Sequence, residues 1–186
     1  MQAVLWPLLL QVILIALNAV FACAEIAVIS VNDNKLAQLV AQGDKRALRL
    51  ARLTSRPAQF LATIQIAITL SGFLGSAFAA DHFSDRLVAL LLRAGVPIPE
   101  KTLDTLSVIL ITLLLSYFTL VFGELVPKRL AMKKSESLAM GLSALISAIS
   151  AIFAPVVTVL TASTNGVLRL LGVDPNADQE EVSEEE

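Results

Sequence analysis

The sequence predicts an all-α membrane protein with three transmembrane helices, a kinked juxtamembrane belt helix, and two short cytoplasmic amphipathic helices between the first two spans. Of the 186 residues, 56% are hydrophobic and 16% are charged, with a mean hydropathy of +0.76. This balance argues against both a disordered chain and a water-soluble globule. Four long stretches carry no charge: residues 1–24, 57–80, 105–123 and 137–168. A helix of about 20 apolar residues crosses the hydrocarbon core, so three or four membrane segments are expected.

The first three uncharged stretches are predicted to be spans at about residues 3–30, 58–80 and 104–126. A cleaved signal peptide is the alternative for the first stretch. That stretch has no basic region at its start, and it is longer than the usual apolar core of a signal peptide. A transmembrane helix is therefore the favoured interpretation.

Between the first two spans, apolar residues recur at helical spacing on either side of Gly43 and Asp44, which predicts two short amphipathic helices. The second helix carries basic residues three or four positions apart, a spacing that places them on one face for anionic lipid or an acidic ligand: Arg46, Arg49, Arg52 and Arg56. Ordinary positive-inside bias is the alternative. That bias places the N-terminus outside and the C-terminus in the cytoplasm.

The fourth stretch, residues 137–168, contains several serines and threonines as well as Pro155, which should kink or interrupt a helix. We expect a bent helix that lies along the inner leaflet or enters it partly. A fourth span is the alternative. Residues 174–186 hold seven acids and no base, which is typical of a solvated linker.

Composition excludes several function classes. With one cysteine, Cys23, and one histidine, His82, the chain has no intrachain disulfide and no Cys/His zinc set. Few aromatic residues lie among the basic ones, so no nucleic-acid partner is expected.

Ionisable groups inside a membrane span are functional candidates by default, and two glutamates qualify, Glu25 and Glu124. The second span adds a polar stripe, Gln65, Thr69, Gly72 and Ser76, beside Ser71. The third span repeats the same offsets at Thr112, Ser116, Thr119 and Gly123. If the polar faces of the three spans point towards one another, their oxygen atoms line a cavity. Such a cavity suits a hard cation such as Mg²⁺, Na⁺ or H⁺. Helix packing is the alternative, because small and hydroxyl residues are common at membrane helix interfaces.

Pro127 strengthens the assignment of Glu124 as a ligand. Since proline has no amide donor, the carbonyl oxygen of Gly123, four residues back, should be free. A free carbonyl beside a carboxylate is a plausible pair of cation ligands. Lys128, one residue later, is predicted to be a snorkelling anchor rather than a ligand.

Three segments carry a family resemblance: Phe21 to Glu25, Thr63 to Leu70 and Phe122 to Lys128. Together they resemble the transmembrane domain of the CNNM/CorC family, also labelled hemolysin-C-like. The resemblance implies a domain over residues 1–172 that forms a homodimer of three-span protomers in the bacterial inner membrane. It also implies magnesium efflux coupled to sodium, and an acidic linker at 173–186 leading to cytoplasmic CBS modules that bind nucleotide.

The same resemblance implies an ion site. The positions that match its motifs are Glu25, Thr69, Gly123, Glu124, Pro127 and Lys128. The chain departs from the pattern at Ala24, where the family has serine, and at Ile68, where it has asparagine. These two lost ligands would have to be replaced by water or by a nearby side chain, that of Thr63, Gln65 or Ser71.

Two hypotheses follow. The first is a secondary transporter that exports a divalent cation, most plausibly magnesium, by alternating access, with no enzyme activity. A permanent basic neighbour at Glu124 would contradict it. The second is a non-transporting membrane anchor or regulatory domain for the CBS modules, which Ala24 and Ile68 favour.

Overall fold

The computed structural model describes residues 2–173, with side chains from Leu5 onward. Every regular element in this part of the chain is a helix. The acidic segment that was predicted to be a linker lies almost entirely outside the described residues. The helices are α1 (Gln2–Ile29), α2 (Asp33–Ala41), α3 (Lys45–Thr54), α4 (Pro57–Arg93), α5 (Glu100–Leu120), a π-helical turn (Val121–Leu125), α6 (Val126–Lys133) and α7 (Ser135–Leu170).

Four helical segments within the described chain are long and apolar enough to cross a membrane. They are Leu5–Ile29, Pro57–Arg93, Glu100–Lys133 and Ser135–Leu170. The all-helical membrane fold is thus confirmed, whereas the count of three spans plus a belt helix is not.

Pro155 does not interrupt α7, which is continuous from Ser135 to Leu170. Membrane helices tolerate an internal proline where the surroundings satisfy the freed backbone groups. The second half of α7 lies beside α4, because Leu160 and Thr164 share a cavity with Gln65 and Thr69. Its position along the inner leaflet or across the bilayer stays a prediction.

The two amphipathic helices of the first loop are confirmed as α2 and α3. They separate at Gly43, whose φ of +79° is the left-handed conformation that favours glycine. Asp44 caps α3, since its carboxylate accepts a hydrogen bond from the Arg46 amide at 2.7 Å. The apolar side of α3 is buried, and the helix packs mainly on α7. The basic loop is therefore docked against the membrane domain.

The first helix, α1, lies at the centre of the domain and contacts α4, α6, α7 and the π-helical turn. Ala22, Ala24 and Ala27 are completely buried on it, and such small residues let helix backbones approach closely. Large apolar side chains such as Phe73 and Leu113 are exposed on the outside, as expected for a surface that faces lipid.

At the other end of the bundle, α4 continues past its apolar stretch to Arg93, as the amphipathic pattern there predicts. A turn with Gly95 at a φ of +76° leads to Pro99, which precedes α5. Ser84 of α4 donates a hydrogen bond to the Asp104 carboxylate of α5 at 3.1 Å. This contact ties the two helices together near the predicted outer surface.

Candidate cation site

A π-helical turn interrupts the third apolar segment at Val121–Leu125. Pro127 explains this turn. It has no amide hydrogen to donate to the Gly123 carbonyl, so the helix widens or kinks there. The widened turn is visible in the bond from the Val126 amide to the Val121 carbonyl, five residues back. Single π turns inside α-helices often occur at functional sites.

Glu25, Glu124 and Lys128 form a charged cluster, which we call the triad. The Lys128 Nζ lies 3.0 Å from Glu124 Oε1, to which it donates a hydrogen bond, and 3.1 Å from Glu25 Oε2 as an ion pair. The three side chains are 21 to 35% exposed, so they are partly buried but still accessible to solvent. Carboxylates from α1 and from the π-helical turn therefore converge on one ammonium group.

Lys128, predicted to be a snorkelling anchor rather than a ligand, pairs with both glutamates. Four residues separate it from Glu124, which places both side chains on one helix face. Packing of α1 against α6 then brings Glu25 to the same ammonium. The role of Lys128 as a partner of both glutamates was missed, although the spacing to Glu124 was a usable signal.

The Gly123 carbonyl is not free, contrary to the prediction. It accepts a hydrogen bond from Asn18 Nδ2 at 3.3 Å, and Gly123 itself is buried. The Asn18 side chain is only 3% exposed, and its Oδ1 is buried without a hydrogen-bond partner among the described residues. An unpartnered amide oxygen thus lies beside the residue that precedes Glu124.

Asn18 belongs to a regular polar series on α1. Gln11, Asn18 and Glu25 are spaced seven residues apart, so they share one helix face. Gln11 donates to the Gly75 carbonyl of α4 at 3.0 Å and, like Asn18, keeps a buried unpartnered oxygen. The seven-residue spacing of these three polar residues is the signal that the sequence carries for this series.

The second-span candidates lie elsewhere. Gln65 and Thr69 are exposed, hydrogen-bond each other at 3.4 Å, and line a cavity of about 500 Å³ with Leu160 and Thr164 of α7. Ser71 is buried instead, one turn before Gly75 on the face of α4 that meets α1.

The buried face of α4 is therefore offset from the stripe that contains Gln65 and Thr69. The structure brings Glu25, Gly123 and Glu124 together, and it does not add the second-span stripe to one shared cavity. The ligand roles of Gln65, Thr69 and Ser71 stay predictions.

The donor atoms around the triad are hard oxygens. No group of three or more His, Cys, Asp or Glu side chains capable of holding a metal occurs within residues 2–173. The two carboxylates of the triad suit a hard cation that retains much of its water. The arrangement is not that of a closed structural metal centre.

The fold defines a multi-pass helical membrane domain that holds a partly buried charged cluster. Residues 9–186 match the family model described as the cyclin M transmembrane N-terminal domain, and the chain belongs to this CNNM family. The resemblance noted in the sequence is thus confirmed.

Relatives support the same family. UPF0053 protein sll0260 of Synechocystis is 34% identical over 94% of this chain and 38% of its own length. UPF0053 protein YugS of Bacillus subtilis is 28% identical over 94% of this chain and 40% of its own. The polyamine export protein of Haemophilus influenzae is 29% identical over 87% of this chain and 37% of its own. The chain therefore spans well under half the length of these relatives.

Proposed function

We propose that this domain exports a cation across the bacterial inner membrane, with Glu25 and Glu124 as its anionic ligands. The observation that carries the proposal is the convergence of both carboxylates on one ammonium group inside the membrane domain. An ionised aspartate at the bilayer centre costs about 2.5 kcal/mol or more on insertion scales, and placing two carboxylates together adds repulsion. Simple helix packing gives no reason to retain such a pair.

Magnesium, with sodium as the coupling ion, is the first proposed cargo. Mg²⁺ commonly keeps several waters and binds through one or two carboxylates, which is what the triad offers when Lys128 is absent from it. The Gly123 carbonyl precedes Glu124 in the π-helical turn, and the Asn18 side chain that bonds it carries an unpartnered oxygen. Water would fill the positions lost at Ala24 and Ile68.

Lys128 imposes a condition on this proposal. A carboxylate pair that is permanently occupied by an ammonium cannot hold a passing ion, so the Lys128 side chain must leave the pair during part of the cycle. A divalent cation between two carboxylates balances their charge, which removes the electrostatic reason for Lys128 to stay. Lys128 then acts as a resident cation that the cargo displaces.

A polyamine is the second proposed cargo. The pair already binds a primary ammonium at 3.0 and 3.1 Å, the same chemical group that a polyamine carries at each end. The Haemophilus influenzae relative is named a polyamine export protein. A polyamine ammonium could replace Lys128 with the same hydrogen-bond geometry.

The assembly in this proposal is a homodimer that works by alternating access, with the N-terminus outside and CBS modules on the cytoplasmic side. A non-transporting anchor or regulatory domain is the competing function. A permanent Lys128 ion pair, together with Ala24 and Ile68, would favour it.

Flux measurements on the full-length protein in proteoliposomes test the proposal. Magnesium or spermidine efflux should be present in the unaltered protein and lost in Glu124→Gln. Glu136→Gln is the matched control, because it removes a glutamate that pairs with Lys35 outside the triad. Absence of flux for magnesium, sodium, manganese, cobalt and spermidine would overturn transport and leave the anchor function.

Lys128→Gln tests displacement directly. Removing the competing ammonium should tighten equilibrium binding of the transported cation by about tenfold, since hydrogen bonds to charged groups contribute about 1.5–3 kcal/mol. Lys133→Gln, on the same helix and in none of the ion pairs described, is the control. Unchanged affinity in Lys128→Gln would contradict the idea that cargo and Lys128 compete for the two glutamates.

A further inference from the structure

A second charged site lies away from the triad, in a cavity of about 410 Å³ at the junction of α3, α4 and α7. The turn from α3 into α4 supplies Arg52 and Arg56, and α7 supplies Ser147 and Ser150. None of the described residues that line it is acidic. We propose that this cavity, which we call the arginine cavity, binds the phosphate group of an anionic membrane lipid.

The two guanidinium groups are available for a ligand. Neither Arg52 nor Arg56 has a side-chain hydrogen bond or ion pair within the part of the chain that the structure describes. Each guanidinium carries five donors in a planar fork that matches phosphate oxygens. Both arginines line this one cavity at the α3–α4 junction. Because neither is paired with a carboxylate of the described residues, the two guanidinium groups indicate an anionic ligand.

Two neutral features of the cavity point to the same chemistry. Ser150 Oγ is buried and has no hydrogen-bond partner among the described residues, so it is an unsatisfied group on the cavity wall. The 37-residue helix α4 begins at this cavity with no side-chain cap on its first turn. Pro57 has no amide hydrogen and the Phe60 amide bonds the Arg56 carbonyl, so the amides of Ala58 and Gln59 are the ones left to favour a phosphate.

The location favours a lipid over a soluble phosphate compound. The cavity lies where α4 enters its apolar stretch, and its lining combines polar residues with the apolar Leu53, Phe60 and Ala154. A lining of both kinds suits a headgroup that continues into a glycerol and acyl chain. Positive-inside bias places this end of α4 in the cytoplasmic leaflet, where anionic lipids attract basic segments.

Lipid binding by the purified full-length protein, measured by native mass spectrometry, tests the proposal. The unaltered protein should bind phosphatidylglycerol in preference to phosphatidylcholine. Arg52→Gln combined with Arg56→Gln should lower phosphatidylglycerol affinity at least tenfold. Lys133→Gln combined with Lys134→Gln removes the same charge from the end of α6, outside the cavity, and should change that affinity less than twofold. Equal losses of phosphatidylglycerol affinity in the two double variants would overturn the proposal, because they would show that basic charge in general attracts the lipid.

Two further measurements locate the ligand. Ser150→Leu keeps every charge, removes the unpartnered hydroxyl and narrows the cavity, so it should also weaken phosphatidylglycerol binding. Unchanged binding would overturn the assignment to this cavity. Inorganic phosphate and glycerol 3-phosphate are the soluble probes. If either one bound as tightly as the lipid, the occupant would be a soluble phosphate compound and the lipid proposal would be wrong. None of these outcomes depends on cation flux.

Discussion

Replacing Gly123 by alanine should destabilise the domain, because this glycine lies against α1 with no room for a side chain. A Cβ atom at position 123 would be 3.1 Å from Asn18 Nδ2 and 3.4 Å from the Ile15 carbonyl oxygen. The backbone of Ile15 cannot easily move, so the Asn18 amide must shift and weaken its bond to the Gly123 carbonyl. Loss of that bond costs about 0.5–1.5 kcal/mol, and overpacking about 1–3 kcal/mol. The better helix propensity of alanine offsets about 1 kcal/mol, which leaves a net loss of about 0.5–3.5 kcal/mol.

Two other glycines supply matched controls. At Gly75 the closest atom to a new Cβ is Gln11 Nε2 at 3.5 Å, an ordinary contact, and at Gly72 nothing lies within 4 Å. Gly72→Ala should be neutral or stabilising by up to about 1 kcal/mol, and Gly75→Ala should fall between the other two. Reversible unfolding in mixed micelles, followed by circular dichroism, gives all three values. A Gly123→Ala protein as stable as Gly72→Ala would refute the close packing of α1 on the π-helical turn.

Three further predictions use the same unfolding assay. Asn18→Ala should lower the free energy of unfolding by about 1 kcal/mol. Its effect should not add to that of Gly123→Ala, because both changes remove the same hydrogen bond. Full additivity would contradict the contact. Asp44→Ala removes the cap of α3 and should cost about 1 kcal/mol, whereas an unchanged protein would show that the cap is not formed in the membrane. Lys35→Gln breaks an exposed ion pair with Glu136 and should cost less than about 1 kcal/mol, so a larger loss would show that this pair is buried in the assembled protein.

The helices were predictable from the sequence because membrane spans depend on length and apolarity, which are local properties. The loop helices α2 and α3 follow equally local signals, the periodic leucines and the break at Gly43. One part of the π-helical turn was predictable, because Pro127 shows that the Gly123 carbonyl loses its usual amide donor. It does not show that Asn18 supplies another one, since that depends on how α1 and α5 pack.

The orientation of α4 was not predictable for a different reason. Two stripes with the same helical period compete on it, one containing Gln65 and Thr69 and the other Ser71 and Gly75. Both consist of small and polar residues, so periodicity alone cannot choose the buried one. In the structure, Gln11 of α1 donates a hydrogen bond to the Gly75 carbonyl, and the stripe that contains Ser71 and Gly75 therefore faces α1.

The polar series on α1 sets a constraint on any conformational change. Gln11, Asn18 and Glu25 each contact a different partner: the Gly75 carbonyl of α4, the Gly123 carbonyl of the π-helical turn, and Lys128 of α6. Successive members lie about 10 Å apart along the helix axis, so sliding α1 by one turn would break all three contacts together. Buried polar groups without partners are costly in hydrocarbon. A transport cycle is therefore expected to move α1 as one body with the helices that it contacts, and to expose the two glutamates through displacement of the Lys128 side chain rather than through withdrawal of α1.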